Sequence, residues 1–176
     1  MCDLKLKLTI LGDEDVGKSS ILDRFVNQDS NRSFKSCTDA NFSTKKISIE
    51  GKDIIIQVCD ASGHERSQSL GPILYRGTDG CILVYNVTNQ KTFDRIAQWR
   101  NEFMSQLGIS PSDNFPFLLL GNFSNRPNKV VQSSTAQEFA DINRMLFYEI
   151  STETDDSKIN VAFDALIRKC LERAKK

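Results

Sequence analysis

The stretch that decides the fold is Gly12-Asp13-Glu14-Asp15-Val16-Gly17-Lys18-Ser19. It has the Gly-x-x-x-x-Gly-Lys-Ser form of a phosphate-binding loop. A strand-like apolar run precedes it at residues 5–11, and a run of helical period follows at 18–26. Glycine allows turns in which successive backbone N–H groups and a helix N-terminus converge on phosphate oxygens. The sequence therefore predicts a site for a nucleoside di- or triphosphate.

The polar groups of this loop suit both the phosphates and a metal ion. The ammonium group of Lys18 supplies a positive charge for the terminal phosphates, and the Ser19 hydroxyl is a hard oxygen ligand of the kind that Mg²⁺ prefers. The candidate nucleotide-binding residues of this segment are Glu14, Asp15, Val16, Gly17, Lys18, Ser19 and Ser20.

The composition narrows the class of protein. The 176 residues carry 23 Lys plus Arg and 23 Asp plus Glu, a balance that argues against wrapping of nucleic acid and against a strongly basic membrane-surface module. The 5 cysteines are scattered without paired metal-ligand spacing, as expected for reduced thiols in the cytoplasm. No apolar run approaches the roughly 20 residues that span a bilayer, and the N-terminal residues do not resemble a signal peptide.

The rest of the chain alternates apolar runs of strand length with runs of helical period, which predicts an α/β fold with a mostly parallel sheet. Residues 47–49 and 54–56 flank a turn at Gly51 and predict an antiparallel hairpin whose second strand ends near Asp60. The other strands are predicted at 81–85, 115–120 and 147–150. The other helices are predicted at 92–107, 134–143 and 158–175, with Trp99 as a core residue rather than a ligand contact.

Several tracts carry a resemblance to a known family. They are Gly63-His64-Glu65-Arg66, Leu74-Tyr75-Arg76-Gly77, Val84-Tyr85-Asn86-Val87-Thr88 and Trp99-Arg100-Asn101-Glu102-Phe103. With the phosphate loop, they resemble a Ras-superfamily small GTPase of the Rab branch over nearly the whole length. Asn114-Phe115-Pro116-Phe117, Leu120-Gly121-Asn122 and Gln68-Ser69-Leu70-Gly71 are most similar to the late-endosomal Rab subgroup.

The resemblance implies a P-loop fold with a six-stranded, mostly parallel sheet, one antiparallel edge strand and about five helices. We expect residues 1–176 to form a single G domain, with a fragment or one half of a longer chain as the open alternative. The resemblance also implies Mg²⁺ and GTP or GDP as ligands, and a GTP hydrolase that regulates vesicle trafficking. Two switch loops, at about 31–41 and 60–73, would bind protein effectors and exchange factors.

Carried over residue by residue, the resemblance assigns to Asp60 the carboxylate in the outer coordination sphere of the metal, and to Gly63 the backbone N–H that senses the γ-phosphate. The Mg²⁺-binding threonine of the first switch falls on Cys37, whose thiol is a poor ligand for Mg²⁺, unless a slip of one residue delivers Thr38. His64 stands where the family has the glutamine that orients the attacking water. Because imidazole cannot copy that amide, we expect slow hydrolysis.

The base pocket departs furthest from the family. Asn122-Phe123-Ser124-Asn125 replaces the Asn-Lys-x-Asp motif, and Ser151-Thr152-Glu153 replaces Ser-Ala-Lys. The family's aspartate accepts two hydrogen bonds from guanine, whereas the Asn125 amide offers one acceptor and one donor group. Phe123 could stack on the base or pack under the loop, and both interpretations stay open. We therefore expect weakened selectivity for guanine.

The surface that Rab effectors contact is also altered, because three aromatic residues of the family correspond here to Phe42, Cys59 and Leu74. The chain shows no terminal prenylation signal, since Cys170 lies in a helix-like run. We expect a cytoplasmic protein, peripheral on endomembranes at most, that contacts membrane only through a tail absent from this sequence. The alternatives are a pseudo-GTPase interaction module that has lost nucleotide switching, or a nucleotide hydrolase of relaxed base specificity.

Overall fold

The computed structural model describes residues 4–27, 42–61, 71–154 and 156–175. Its described part contains a six-stranded sheet in the order β2-β3-β1-β4-β5-β6. The strands are β1 (Leu4–Leu11), β2 (Phe42–Ile49), β3 (Lys52–Asp60), β4 (Gly80–Asn86), β5 (Phe117–Asn122) and β6 (Leu146–Glu149). Among these described strands, only β2 runs antiparallel to its neighbour, and it lies at the edge of the sheet. The predicted fold class, with one antiparallel edge strand, is confirmed.

The helices in the described residues are α1 (Lys18–Asn27), α2 (Gly71–Tyr75), α3 (Gln90–Asp94), α4 (Ile96–Leu107), α5 (Ser133–Ile142) and α6 (Asp156–Ala174). A short 3₁₀ turn occupies Pro111–Asp113. Because α3 and α4 meet at a single residue, they count as one broken helix, and the predicted number of about five is confirmed. None of these described helices has both the length and the apolar content needed to cross a membrane.

The prediction of one continuous helix at 92–107 was wrong. The segment begins earlier, where the Asn89 side chain caps α3 by accepting a hydrogen bond from Lys91 N–H, and it breaks at Arg95 with φ −84° and ψ −8°. The apolar pattern runs through the break, because Phe93, Ile96 and Trp99 keep a spacing of three residues. Periodicity alone therefore does not reveal it.

Most of the other boundaries differ by one to two residues, whereas the first hairpin strand begins five residues earlier than predicted, at Phe42. The fifth strand begins at Phe117 rather than at Phe115, since Pro116 has no N–H for a sheet bond and uses only its carbonyl, which accepts from Cys81 N–H. The hairpin strands extend further than predicted and meet at Glu50 and Gly51. Helix α1 extends to Asn27, one residue beyond the predicted run, and residues 28–41 lie outside the described ranges.

The sheet is covered on both faces by helices. One apolar cluster joins β1 and β3 to α1 and α6, and a second joins the other face of the sheet to α4 and α5. Every residue of β5 is buried, as the continuous apolar run predicts for a central strand. Trp99 belongs to the second cluster, so its predicted place in the core is confirmed.

Parallel strands bring their carboxyl ends to the same edge of a sheet, which is where ligands bind in folds of this class. The phosphate loop follows β1, Asp60 ends β3, Asn122 ends β5 and Ser151 follows β6. The topology therefore gathers the candidate residues along one edge.

Candidate nucleotide-binding site

The phosphate loop has a backbone that only glycine fits at two positions. Gly12 has φ +148° and Gly17 has φ +93°, values that side-chain-bearing residues rarely adopt. A Cβ atom on Gly12 would overlap the carbonyl oxygen of Val84, and one on Gly17 would overlap the amide nitrogen of Asn122. The loop is therefore packed tightly against the ends of β4 and β5, with its shape fixed by its neighbours.

Lys18 lies folded back across this loop. Its ammonium group donates hydrogen bonds of 2.6 Å to the carbonyls of both Gly12 and Asp13. The residue is only 5% exposed, so its positive charge is held against the loop backbone rather than in solvent. This placement keeps the charge beside the amides that a phosphate group would contact.

Ser19 and Asp60 meet at the start of α1 and the end of β3. The Ser19 hydroxyl donates a 3.0 Å hydrogen bond to the Asp60 carboxylate, although the two residues lie far apart in sequence. Hydroxyl and carboxylate oxygens are ligands that suit Mg²⁺, which normally completes its octahedron with phosphate and water oxygens. The donor set fits the ion that the sequence predicts.

The outer side of the phosphate loop is anchored to the helices α3 and α4. The Asp13 carboxylate accepts a 2.8 Å hydrogen bond from the Trp99 indole and forms a 3.1 Å ion pair with Arg95. Glu14 and Asp15, the next two residues, are exposed. Their carboxylates therefore contact solvent, which lessens the repulsion expected beside phosphates.

Asn122 connects three segments of the site. Its amide nitrogen donates to the Val16 carbonyl at 3.0 Å, and its amide oxygen accepts from the backbone N–H groups of Phe123 at 2.8 Å and Thr152 at 3.3 Å. The side chain is fully buried, so these bonds are shielded from water. Asn122 thus holds the phosphate loop, the end of β5 and the segment after β6 in a fixed arrangement.

Phe123 and Thr152 line an open cleft that continues from the start of α1. Its volume is about 540 Å³, and its lining residues are Ser19, Ser20, Asp23, Arg24, Phe123, Thr152 and Glu153. The Phe123 ring is partly buried, and the guanidinium group of Arg126 lies 4.0 Å from its centre. Two predicted residues of the phosphate loop, Ser19 and Ser20, therefore border the same cavity as Phe123 and Thr152 of the predicted base region.

Asn125 lies in a hydrogen-bonded network with Ser151, Arg126 and Glu153. The sequence alone assigns no role to Arg126 or Glu153. Its oxygen accepts from the Ser151 hydroxyl at 2.7 Å, and its amide nitrogen donates to Glu153 at 2.9 Å. Arg126 donates to the other Glu153 oxygen at 2.8 Å. The replacement of the family's lysine by Glu153 was visible in the sequence, but its pairing with Asn125 was not.

Comparison with known proteins agrees with this geometry. The sequence model of the Ras family matches residues 7–172. The GTP-binding protein yptV5 of Volvox carteri is 37% identical over 172 residues, which cover 97% of this chain and 84% of the relative. The Ypt/Rab-type GTPase YPT7 of Saccharomyces cerevisiae is 36% identical over 171 residues, covering 96% of this chain and 82% of the relative. The Ras-related protein Rab7 of Drosophila melanogaster is 36% identical over 168 residues, covering 95% and 81%.

The chain belongs to the Ras family. Within that family it is a Rab-type small GTPase, and its Rab7 and Ypt7 relatives confirm the resemblance to the late-endosomal Rab subgroup. The relatives match at similar identity over almost the whole chain, so the family assignment does not rest on the phosphate loop alone.

Several predicted site residues of this Rab-type GTPase lie outside the described ranges. They are Cys37 and Thr38 of the first switch, and Gly63 and His64 of the second. Their assigned roles in metal binding and catalysis therefore stay predictions.

The three positions that correspond to effector-contacting aromatics differ in exposure in this Rab-type GTPase. Phe42 and Cys59 pair directly across β2 and β3, and Leu74 lies in α2. Phe42 and Leu74 are partly buried, whereas Cys59 is fully buried, and burial raises the pKa of its thiol to about 11. Position 59 thus contributes a small core residue where the family has an aromatic side chain.

Proposed function

We propose that this Rab-type small GTPase binds GDP and GTP with Mg²⁺ in the described cleft, hydrolyses GTP slowly and regulates vesicle trafficking. The observation that carries the proposal is the joint placement of Lys18, Ser19 and Asp60 around a loop whose glycines cannot be replaced without overlap. The names of its relatives, a GTP-binding protein and Ypt/Rab-type GTPases, support the same conclusion.

Each part of the cleft has a task in nucleotide binding. The amides of residues 14–20 and the Lys18 ammonium would bind the phosphate oxygens, while Asn122 keeps the loop in its binding shape. Ser19 and Asp60 would hold Mg²⁺, with Cys37 or Thr38 as the further candidates. When bound, the ion supplies positive charge that stabilises the terminal phosphates. Phe123, Asn125, Ser151 and Thr152 would surround the base.

Slow hydrolysis rests on position 64. His64 stands where the family has glutamine, and an imidazole ring cannot contact both the attacking water and a phosphate oxygen as an amide does. Gly63 would still present its backbone N–H to the γ-phosphate. We expect His64→Gln to raise the single-turnover rate of GTP hydrolysis, and an unchanged rate in a variant that binds GTP normally would contradict this role.

The partners and location follow from the family assignment. We propose that exchange factors and effectors bind through the two switch loops, at about 31–41 and 60–73, and that nucleic acid is not a partner, given the balanced charge. The protein would act in the cytoplasm and on the surface of endomembranes. A single G domain over residues 1–176, alone or as one half of a longer chain, stays a prediction.

The most direct test is to release the bound ligand from purified protein by denaturation and to identify it by chromatography. GDP or GTP in near-stoichiometric amount supports the proposal. Calorimetric titration of nucleotide-free protein with GDP and Mg²⁺, repeated on Lys18→Ala, then assigns the binding to this loop. Lack of bound nucleotide together with lack of binding heat would instead favour a pseudo-GTPase, and a non-guanine nucleotide would favour relaxed base specificity.

A further inference from the structure

We propose that Glu153 supplies the carboxylate that recognises the guanine edge, in place of the aspartate that the family has at position 125. The inference rests on the proposed function, because it concerns the base that the same cleft accepts. It assigns a specificity-determining role to a residue outside the predicted site residues.

The surrounding hydrogen bonds fix the orientation of the Asn125 amide. Ser151 accepts a hydrogen bond from the Glu153 backbone N–H at 3.1 Å and donates its own hydroxyl proton to Asn125 at 2.7 Å. In this arrangement the Asn125 atom that faces Ser151 is the oxygen. The opposite atom faces the Glu153 carboxylate, which can only accept, so that atom must be the NH₂ group.

This orientation means that Asn125 directs a donor group toward Glu153 instead of toward a base. A free amide NH₂ at this position would oppose guanine, whose N1–H and 2-amino groups are also donors. The 2.9 Å bond to Glu153 satisfies that donor inside the protein. Asn125 then acts as a support for the carboxylate, and the mismatch that the sequence alone suggests is removed.

The Glu153 carboxylate can accept further hydrogen bonds beyond those that it accepts from the protein. One oxygen accepts from Asn125 and the other from Arg126 at 2.8 Å. Each carboxylate oxygen has about two acceptor positions, so both retain one. Two adjacent acceptors match the two adjacent donors of guanine, as the aspartate of the family does.

The charge and the position of Glu153 also suit recognition of a base. The bonds from Arg126 and Asn125 lower the pKa of the Glu153 carboxyl, so the group is ionised at neutral pH. Arg126 also lies 4.0 Å from the centre of the Phe123 ring, which connects the carboxylate to the proposed base-stacking side chain. Glu153 and Phe123 line the same cleft as Ser19, so a nucleotide held by its phosphates at Ser19 would have both side chains within the cavity that its base can enter.

The bases themselves provide the test, because they differ at the edge that a carboxylate would read. Xanthine carries a carbonyl acceptor where guanine has the 2-amino donor, hypoxanthine has neither, and adenine lacks the N1–H. Calorimetric titrations of nucleotide-free protein with GDP, XDP, IDP and ADP in Mg²⁺ would be made on the full chain and on Glu153→Gln. Asp23→Asn is the matched control, since it removes a carboxylate that lines the same cleft from α1.

We expect the unaltered protein to bind GDP at least about tenfold more tightly than XDP, the size of one charge-assisted hydrogen bond. Glu153→Gln should reduce this ratio to about threefold or less, because the glutamine amide replaces one acceptor by a donor. Asp23→Asn should change the affinities for all four diphosphates by a similar factor and keep the GDP to XDP ratio. Thermal unfolding would confirm that both variants are folded, as expected for exposed side chains.

A GDP preference that survives in Glu153→Gln would overturn the inference, as would equal binding of GDP and XDP by the unaltered protein. In both cases Mg²⁺-dependent binding of the diphosphates would still support the proposed function. If none of the four diphosphates binds the unaltered protein, the proposed function and this inference both fail.

Discussion

Trp99 in α4 and Asp13 in the phosphate loop are joined by a 2.8 Å hydrogen bond from the indole N–H to the carboxylate. The indole is almost fully buried, and the same carboxylate pairs with Arg95 at the break between α3 and α4. The bond therefore connects the second apolar cluster to a side chain of the phosphate loop. Trp99 is thus both a core residue and a support of the phosphate loop.

Trp99→Phe should lower the free energy of unfolding by about 1 kcal/mol or more, since it leaves the Asp13 carboxylate without its buried donor. Equilibrium unfolding in urea measures this change. Asp13→Asn is the matched variant, because its oxygen can still accept from the indole while the half-exposed Arg95 loses only its charge partner. Equal losses in the two variants would show that the indole bond is not the important contact.

Gly17→Ala should abolish nucleotide binding, whereas a glycine-to-alanine change outside the phosphate loop should not. The new Cβ would overlap the Asn122 amide, which itself binds Val16, so the loop must shift. Gly51, in the β2–β3 turn, is the control: it also has positive φ, at +76°, but nothing lies within 4 Å of an added Cβ. Gly51→Ala should therefore cost only the roughly 1–2 kcal/mol of left-handed backbone strain.

The two glycine variants are compared by calorimetric titration with GDP and by urea unfolding. Retention of GDP affinity in Gly17→Ala would mean that the loop adapts to an added methyl group, and that its tight packing against β5 does not control binding. Loss of affinity in Gly51→Ala would indicate that binding depends on overall stability rather than on the loop.

The phosphate loop and the sheet could be predicted from the sequence because their signals are local. Four fixed positions of the Gly-x-x-x-x-Gly-Lys-Ser pattern lie within eight residues, and continuous apolar runs mark the strands that helices cover. The break at Arg95 could not be predicted from the helical periodicity, since the apolar spacing continues across it. A local pattern reports which face of a helix is buried, and it does not report a change in backbone angle at an exposed residue.

The base region could not be predicted in the same way, because its contacts join residues that are distant in the chain. Asn125 and Glu153 are 28 positions apart, and their bond depends on the parallel pairing of β5 with β6. The sequence showed that each residue departs from the family. It did not show that the two departures meet, and two changes that separately weaken a site can support each other in space.

The buried cysteines provide a test of the core. Burial raises the pKa of Cys59 to about 11 and that of Cys170 to about 12, and it also raises the pKa of fully buried Cys81. With a pKa near 11, roughly one thiol in a thousand is ionised at pH 8, and the thiolate is the reactive form. We expect a thiol reagent at pH 8 to modify these three residues only after unfolding, as peptide mapping would reveal.

The same thiols predict a pH dependence of stability. Because their folded pKa lies above the ordinary value of 9.0, the folded state holds the protons more tightly. Their contribution to the free energy of unfolding is complete below pH 9 and is lost as the pH rises from 9 toward 11. Urea unfolding between pH 8 and 10.5 should show a decline that Cys59→Ser reduces. In the labelling experiment, rapid modification of Cys59, Cys81 or Cys170 in the folded protein would contradict the burial of that thiol in the core.

Ser19→Ala should separate the contribution of Mg²⁺ from that of the phosphate loop. Removal of the hydroxyl takes away one of the two oxygen groups with which the Ser19–Asp60 pair would hold the metal, while Lys18 and the loop amides remain. The unaltered protein should bind GDP about tenfold or more tightly with Mg²⁺ than with EDTA, and the variant should show little difference.

Ser20→Ala makes the same change one residue later and should keep the Mg²⁺ dependence, since its hydroxyl is not part of the pair. Asp60→Asn should resemble Ser19→Ala, because an amide oxygen is a weaker ligand than a carboxylate. Full Mg²⁺ dependence in both Ser19→Ala and Asp60→Asn would place the metal site elsewhere in the chain.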